Sequence, residues 1–144
     1  MDISERNYHL KLQEMCDCYL ETDFLKQLKG MSGTESGDPE ENAIKYLALA
    51  IMFTISEKAK KLSLKKKGDK LTGKVTGDEE ITLPPPSIEQ FDRISAIMRA
   101  ILHIEKDEGR LPLALGLRNG GLELLVEVSR GPDKETLKIK FPDL

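Results

Sequence analysis

The sequence predicts an α+β domain, an antiparallel meander sheet covered on one face by helices, with an additional helix at the N-terminus. Three observations carry that expectation. Apolar residues recur at three- and four-residue intervals in three segments, they alternate with other residues in six short segments, and Gly-containing turns separate the alternating segments. Strands with a single apolar face need a helical cover, and the helical segments before them can supply it. At 144 residues the chain is long enough to bury one core.

Residues 3 to 29 read as helical, since Tyr8, Leu12, Met15, Tyr19, Phe24, Leu25 and Leu28 fall at helical spacings and Gly30 supplies a stop. GMSGTESGDPEEN then gathers Gly, Ser, Thr, Asp and Pro with four acids, the composition of a flexible linker. The chain therefore divides into an N-terminal helix at 1–30, a linker at 31–38 and the α+β domain at 39–144. Asp38, Pro39, Glu40 and Glu41 make a helix start: a capping side chain, proline at the first position, and acids at the positive end of the dipole. That helix is expected to run to about Lys61. Its early half is apolar nearly all round, so both the sheet and a further element, either the first helix or another protein, must cover it.

From Leu62 the period shortens toward two. Strands are expected at 62–66, 71–75 and 80–83, with turns at Gly68-Asp69 and Gly77-Asp78. Pro84, Pro85 and Pro86 end the pairing, because proline cannot donate to a ladder, and they stiffen the exit into the next helix. Ser87 with Gln90 forms a capping-box pattern, and Ile88, Phe91, Ile94, Met98 and Ile101 make one apolar stripe, broadened by Ile97 and Ile104. Three more alternating segments follow: Leu111 to Leu117, Leu122 to Val128, and Leu137 to Phe141, the last interleaved with Lys138 and Lys140. Asn119-Gly120-Gly121 and Gly131-Pro132-Asp133 supply the turns between them.

Residues suited to catalysis are sparse. Cys16 and Cys18 point about 200° apart on a helix, so they cannot share a metal there, and no second Cys/His pair completes a tetrahedral set. His9 and His103 are isolated in sequence, and Asp78, Glu79 and Glu80 read as a solvated hairpin tip. With no nucleophile, base and orienting group to assemble, neither enzyme activity nor a metal or cofactor is expected. MDISERNYHL lacks the basic and apolar regions of a secretory signal. The most apolar window, 43–55, is interrupted by Lys45 and falls short of the ~20 residues a spanning helix requires. A cytoplasmic protein without a membrane span is the expectation.

Several words of sequence, in order, resemble a known family. They are AKKLSLKK at 59–66, KVTG at 74–77, LPPPS at 83–87, FDRISAIMRAI at 91–101, DEGR at 107–110 and LRNGGLELLVEVS at 117–129. The run from Asn42 to Phe141 is similar to the domain preceding the nucleotide-binding module in type II secretion and type IV pilus assembly ATPases. In that family a helix leads into an Ala-Ser-Asp-Ile-His-Ile-Glu-Pro strand, an Arg-Ile-Asp-Gly hairpin, a proline-rich exit, a helix and an Asp-Gly-Arg turn. Here Lys60, Lys61 and Lys65 stand where the family has Ser, Asp and Glu, and Ser63 replaces the His. The family's Glu-Arg-Arg-Leu-Pro run is missing, which leaves Arg110 as the one matching arginine. Gly-x-x-x-x-Gly-Lys-[Ser/Thr] occurs nowhere in the chain, so no phosphate-cradling loop is present. The resemblance implies a PAS-like fold standing alone without its ATPase module, and a role in contacting an adjacent ATPase subunit and transmitting rotation. Some such arginines in the family ring reach a neighbouring subunit's nucleotide.

The sharpest local feature is charge. Lys58, Lys60, Lys61, Lys65, Lys66, Lys67, Lys70 and Lys74 are opposed within their run only by Asp69, giving +7 there and −10 in the rest of a chain whose net charge is −3. Such polarity suits an acidic partner, a phosphate-rich ligand or nucleic acid. The run holds no arginine and no aromatic, which argues against nucleic acid. The plainer alternative is a solvated helix end and hairpin edge whose lysines guard a strand from pairing. The function expected is a non-catalytic protein-interaction module that self-associates or binds a secretion or pilus assembly component. The alternatives are a small-ligand sensor of PAS-like fold and a lysine-patch binder of an acidic partner or nucleic acid.

Overall fold

The computed structural model describes residues 3–18, 23–31, 38–117 and 120–142. Along the chain run α1 (Ile3–Cys18), α2 (Phe24–Met31), α3 (Pro39–Ser56), β1 (Lys61–Lys67), β2 (Lys70–Thr76), β3 (Glu80–Leu83), α4 (Ile88–Leu102), β4 (Glu108–Leu117), β5 (Gly120–Arg130) and β6 (Lys134–Lys140). The strands form one antiparallel sheet in the order β3-β2-β1-β6-β5-β4. Two three-stranded meanders are thus joined along β1 and β6, with Leu62 opposite Ile139 and Leu64 opposite Leu137. This is the α+β architecture expected, with all six strands and an N-terminal helix.

Two helix boundaries differ from expectation. The segment read as one helix over 3–29 holds two, and the Asp23 carboxylate accepts from the Lys26 N–H at 3.2 Å, so it caps a separate start for α2. Residues 19–22 lie outside the described residues, as do 32–37 of the expected linker and Asn119 of the expected turn. α3 begins as anticipated, with Asp38 accepting from the Glu40 N–H at 3.0 Å, but it stops at Ser56 and not near Lys61. Lys58 takes a left-handed conformation (φ 52), and the Ala59 N–H bonds the Thr54 carbonyl. That turn buries Ala59 against Gly77, where a side chain would come within 3.1 Å of the Ala59 backbone.

The inward residues of every strand join one core with α3 and α4: Leu62, Leu64, Val75, Leu83, Val126 and Ile139 among them, with Leu47, Ile51, Phe91, Ile94 and Met98. α3 is buried from Ala43 to Thr54 apart from Lys45, because α1 and α2 pack over it and α4 lies beside it. Leu12, Cys16 and Leu28 anchor that outer layer, at about 1.5–3 kcal/mol for each fully buried leucine. The Tyr8 hydroxyl donates to Glu40 at 3.0 Å across the same contact. The cover that so apolar a helix requires therefore comes from this chain. Among the described residues, no helix is long and apolar enough to cross a membrane.

The proline junction is fixed from both ends. The Tyr46 hydroxyl on α3, 1% exposed, donates to the Pro84 carbonyl at 2.7 Å, and Pro86 is buried. Ser87 and Gln90 form the reciprocal capping box at 3.1 and 3.3 Å, so α4 leaves the sheet at a set angle. At its far end His103 is left-handed (φ 57), and Arg99 donates to the Lys106 and Asp107 carbonyls at 2.5 and 2.8 Å, holding the turn into β4.

The free margin of β4 is covered by α1. His9 Nε2–H donates to the Ala114 carbonyl and Gln13 Oε1 accepts from the Gly116 N–H, each at 2.7 Å. Pro112, two residues before Ala114, has no N–H to expose on that margin.

Candidate functional site

Among the described residues the helices lie on one face, which leaves the opposite face of the sheet open, and strand parity decides what it displays. From β1 come Lys61, Ser63, Lys65 and Lys67; from β2, Lys70, Thr72, Lys74 and Thr76; from β6, Lys134, Thr136 and Lys138. With Glu80 of β3 these line a trough of ≈ 480 Å³. Seven lysines against one glutamate leave a surplus of six positive charges, interleaved with four hydroxyls.

The register sets like charges side by side. Lys67 lies directly opposite Lys70 on one flank and Lys134 on the other, and Lys61 lies opposite Lys140. Directly opposed like charges destabilise a sheet. Lys65 sits among them, and the positive charge of Lys134, then desolvation, then the charge of Lys67 hold its ammonium below the ordinary lysine value. Among the described residues only Lys74 of the seven makes an ion pair, with Glu80 at 3.4 Å.

The structure divides the lysines of the 58–74 run. Lys61, Lys65, Lys67, Lys70 and Lys74 converge in the trough. Lys66 does not: its parity places it on the helical face, where it pairs with Asp92 at 2.8 Å and lies 5.9 Å from the centre of the Phe91 ring. The hydrogen bond to Asp92 raises its ammonium above the ordinary value. Lys58 and Lys60 sit in the connector before β1. The edge-guarding alternative is corrected, because β1 is paired on both flanks and is no edge.

Arg110 lies apart from the trough, on the outermost strand β4. It pairs with Glu127 at 3.2 Å, and the same carboxylate takes Lys140 at 3.4 Å. Glu127 thereby separates Arg110 from the lysines of β1 and β2. A shallower depression of ≈ 440 Å³ adjoins it, sharing Thr136 and Lys138 with the trough.

Lys134, Thr136 and Lys138 are the site residues that the local charge run could not include, since they lie some sixty residues further along the chain. Their signal was the alternation in the last strand, which puts its lysines on the face opposite Leu137 and Ile139. Asp78 and Glu79 are exposed beside the Gly77 turn. Among the described residues no three His, Cys, Asp or Glu are placed to hold a metal ion. The arrangement can bind and orient anions. Comparison of the chain with protein-family models and with curated proteins finds no match.

Proposed function

We propose that this chain is a non-catalytic interaction module that engages a polyanionic partner through the open face of its sheet. The observation that carries this is the trough: lysines from β1 and β2 and from β6, which is distant in sequence, face one another at a cost to sheet pairing, with one carboxylate among them. A solvated face needs no such convergence, whereas an anion brought to it offsets the mutual repulsion. The apolar helix α3, one of the grounds for expecting a protein partner, is covered by α1 and α2, so the weight passes to the lysines.

A secretion or pilus assembly component is one such partner within the proposal, supported by the order of elements from α3 to β5 that the family resemblance invokes. Residence in the cytoplasm belongs to the proposal too, supported by Cys16 as a buried free thiol. The test is retention on a sulfated polysaccharide column. The chain should need more salt for elution than a variant carrying Lys65→Gln, Lys134→Gln and Lys138→Gln, and equal elution of the two would end the proposal.

A further inference from the structure

We infer that the trough binds the phosphate backbone of double-helical nucleic acid without reading base sequence, an inference that rests on the polyanion reading above. The lining chemistry narrows the class of polyanion. A protein interface is built round an apolar centre with aromatic or arginine anchors, and this trough is lined by lysine, serine and threonine with a single glutamate. Single strands expose bases that stack on aromatic side chains, and among the described residues the trough supplies none. A duplex hides its bases and turns phosphates outward. Lysine ammonium and threonine or serine hydroxyls are the donors that phosphate oxygens take from proteins when position, and not sequence, is being fixed. Among the described residues the trough also lacks arginine, the side chain that most often reads guanine by a bidentate fork.

Dimensions and charge agree with that choice. Lys61 to Lys67 spans about 20 Å along β1, and β2, β1 and β6 together span about 10 Å across, from ordinary strand geometry. A duplex carries one phosphate per about 1.7 Å of axis, so about 20 Å presents roughly twelve, of which about half face one side. Six phosphates would meet a surplus of six positive charges. A concave surface suits a convex rod better than a flat bilayer. The rest of the chain is acidic, with −9 outside the trough for a net of −3, so one face alone is attracted.

The experiment uses the full chain and fluorescent 20-base-pair duplexes of two unrelated sequences, with single strands, poly-glutamate and phosphatidylserine vesicles as further probes, at 50 to 200 mM NaCl. The two duplexes should bind alike, and affinity should fall about 10³-fold over that range if six phosphates are neutralised. Lys65→Gln, Lys134→Gln and Lys138→Gln together should flatten the slope of log affinity against log salt by about 2.7, at roughly 0.9 for each phosphate no longer neutralised. Lys58→Gln with Lys106→Gln, both off the face, should leave the slope unchanged, and circular dichroism confirms that each variant is folded. Tighter binding of single strands, of vesicles or of one duplex sequence overturns the inference, as does an equally flattened slope in the off-face variant. Poly-glutamate bound without duplex overturns the inference and leaves the polyanion function standing. Failure of every probe removes both.

Discussion

Cys16→Ala asks whether α1 is packed on α3 as described. The thiol is wholly buried, and burial, with a smaller contribution from the Asp17 charge, pushes it from 9.0 up to about 12. The unfolded chain releases this proton from about pH 9, while the folded chain keeps it to about 12. In that window the unfolded state binds fewer protons, so stability falls as pH rises. One unit corresponds to about 1.36 kcal/mol, so at pH 11, two units above the ordinary thiol value, Cys16 removes about 3 kcal/mol. Alanine forfeits about 1 kcal/mol of packing at every pH but is free of the alkaline loss. The two stability curves should therefore cross, with the wild type ahead by about 1 kcal/mol at pH 7 and the variant ahead by about 2 kcal/mol at pH 11. Urea unfolding followed by circular dichroism under reducing conditions measures both. The buried Tyr46 phenol, also raised by burial, adds an alkaline slope to both proteins and cancels in the difference. Parallel pH profiles would show a thiol in water and refute the docking of α1.

Three further outcomes are expected. Tyr46→Phe leaves the Pro84 carbonyl without its donor and should cost about 1–2 kcal/mol, a fall of about 3–6 °C in Tm by calorimetry. Lys67→Gln with Lys134→Gln removes two directly opposed like-charge pairs and should raise Tm by about 1–3 °C in low salt. That gain should vanish in 1 M NaCl, where charges are screened within about 3 Å; a fall in Tm at low salt would contradict the electrostatic account of the trough. Arg99→Met strips donors from the Lys106 and Asp107 carbonyls, so hydrogen exchange at 104–109 should accelerate while that of β1 stays slow.

Local rules recovered much of this fold because its local signals agree with one another. Asp38 and Ser87 cap the helices their side chains announce, and the Gly68-Asp69 turn joins β1 to β2 as its alternating flanks require. What escaped is non-local. Alternation reveals which residues share a face, but not which strand lies beside which, and the β1–β6 pairing joins segments some seventy residues apart. The trough was therefore half visible: its β1 and β2 lysines formed a run, while those of β6 looked like an ordinary solvated strand face. Lys66 shows the reverse error. Its charge grouped it with its neighbours, although its parity with Leu62 and Leu64 already assigned it to the helical side. The early end of α3 depended on the fit of Ala59 beside Gly77, which composition alone does not encode.

The two borders of the sheet are sealed by different chemistry. At one, a four-residue strand runs into three prolines; at the other, a histidine and a glutamine from the first helix occupy the backbone groups that another strand would seek. Lateral growth of the ladder is thus blocked while that helix stays in place. His9→Ala with Gln13→Ala would unlock one border, and sedimentation of the concentrated variant should then detect strand-to-strand dimers. An extended peptide seeking to add itself as a further strand therefore finds neither rim of the intact protein inviting.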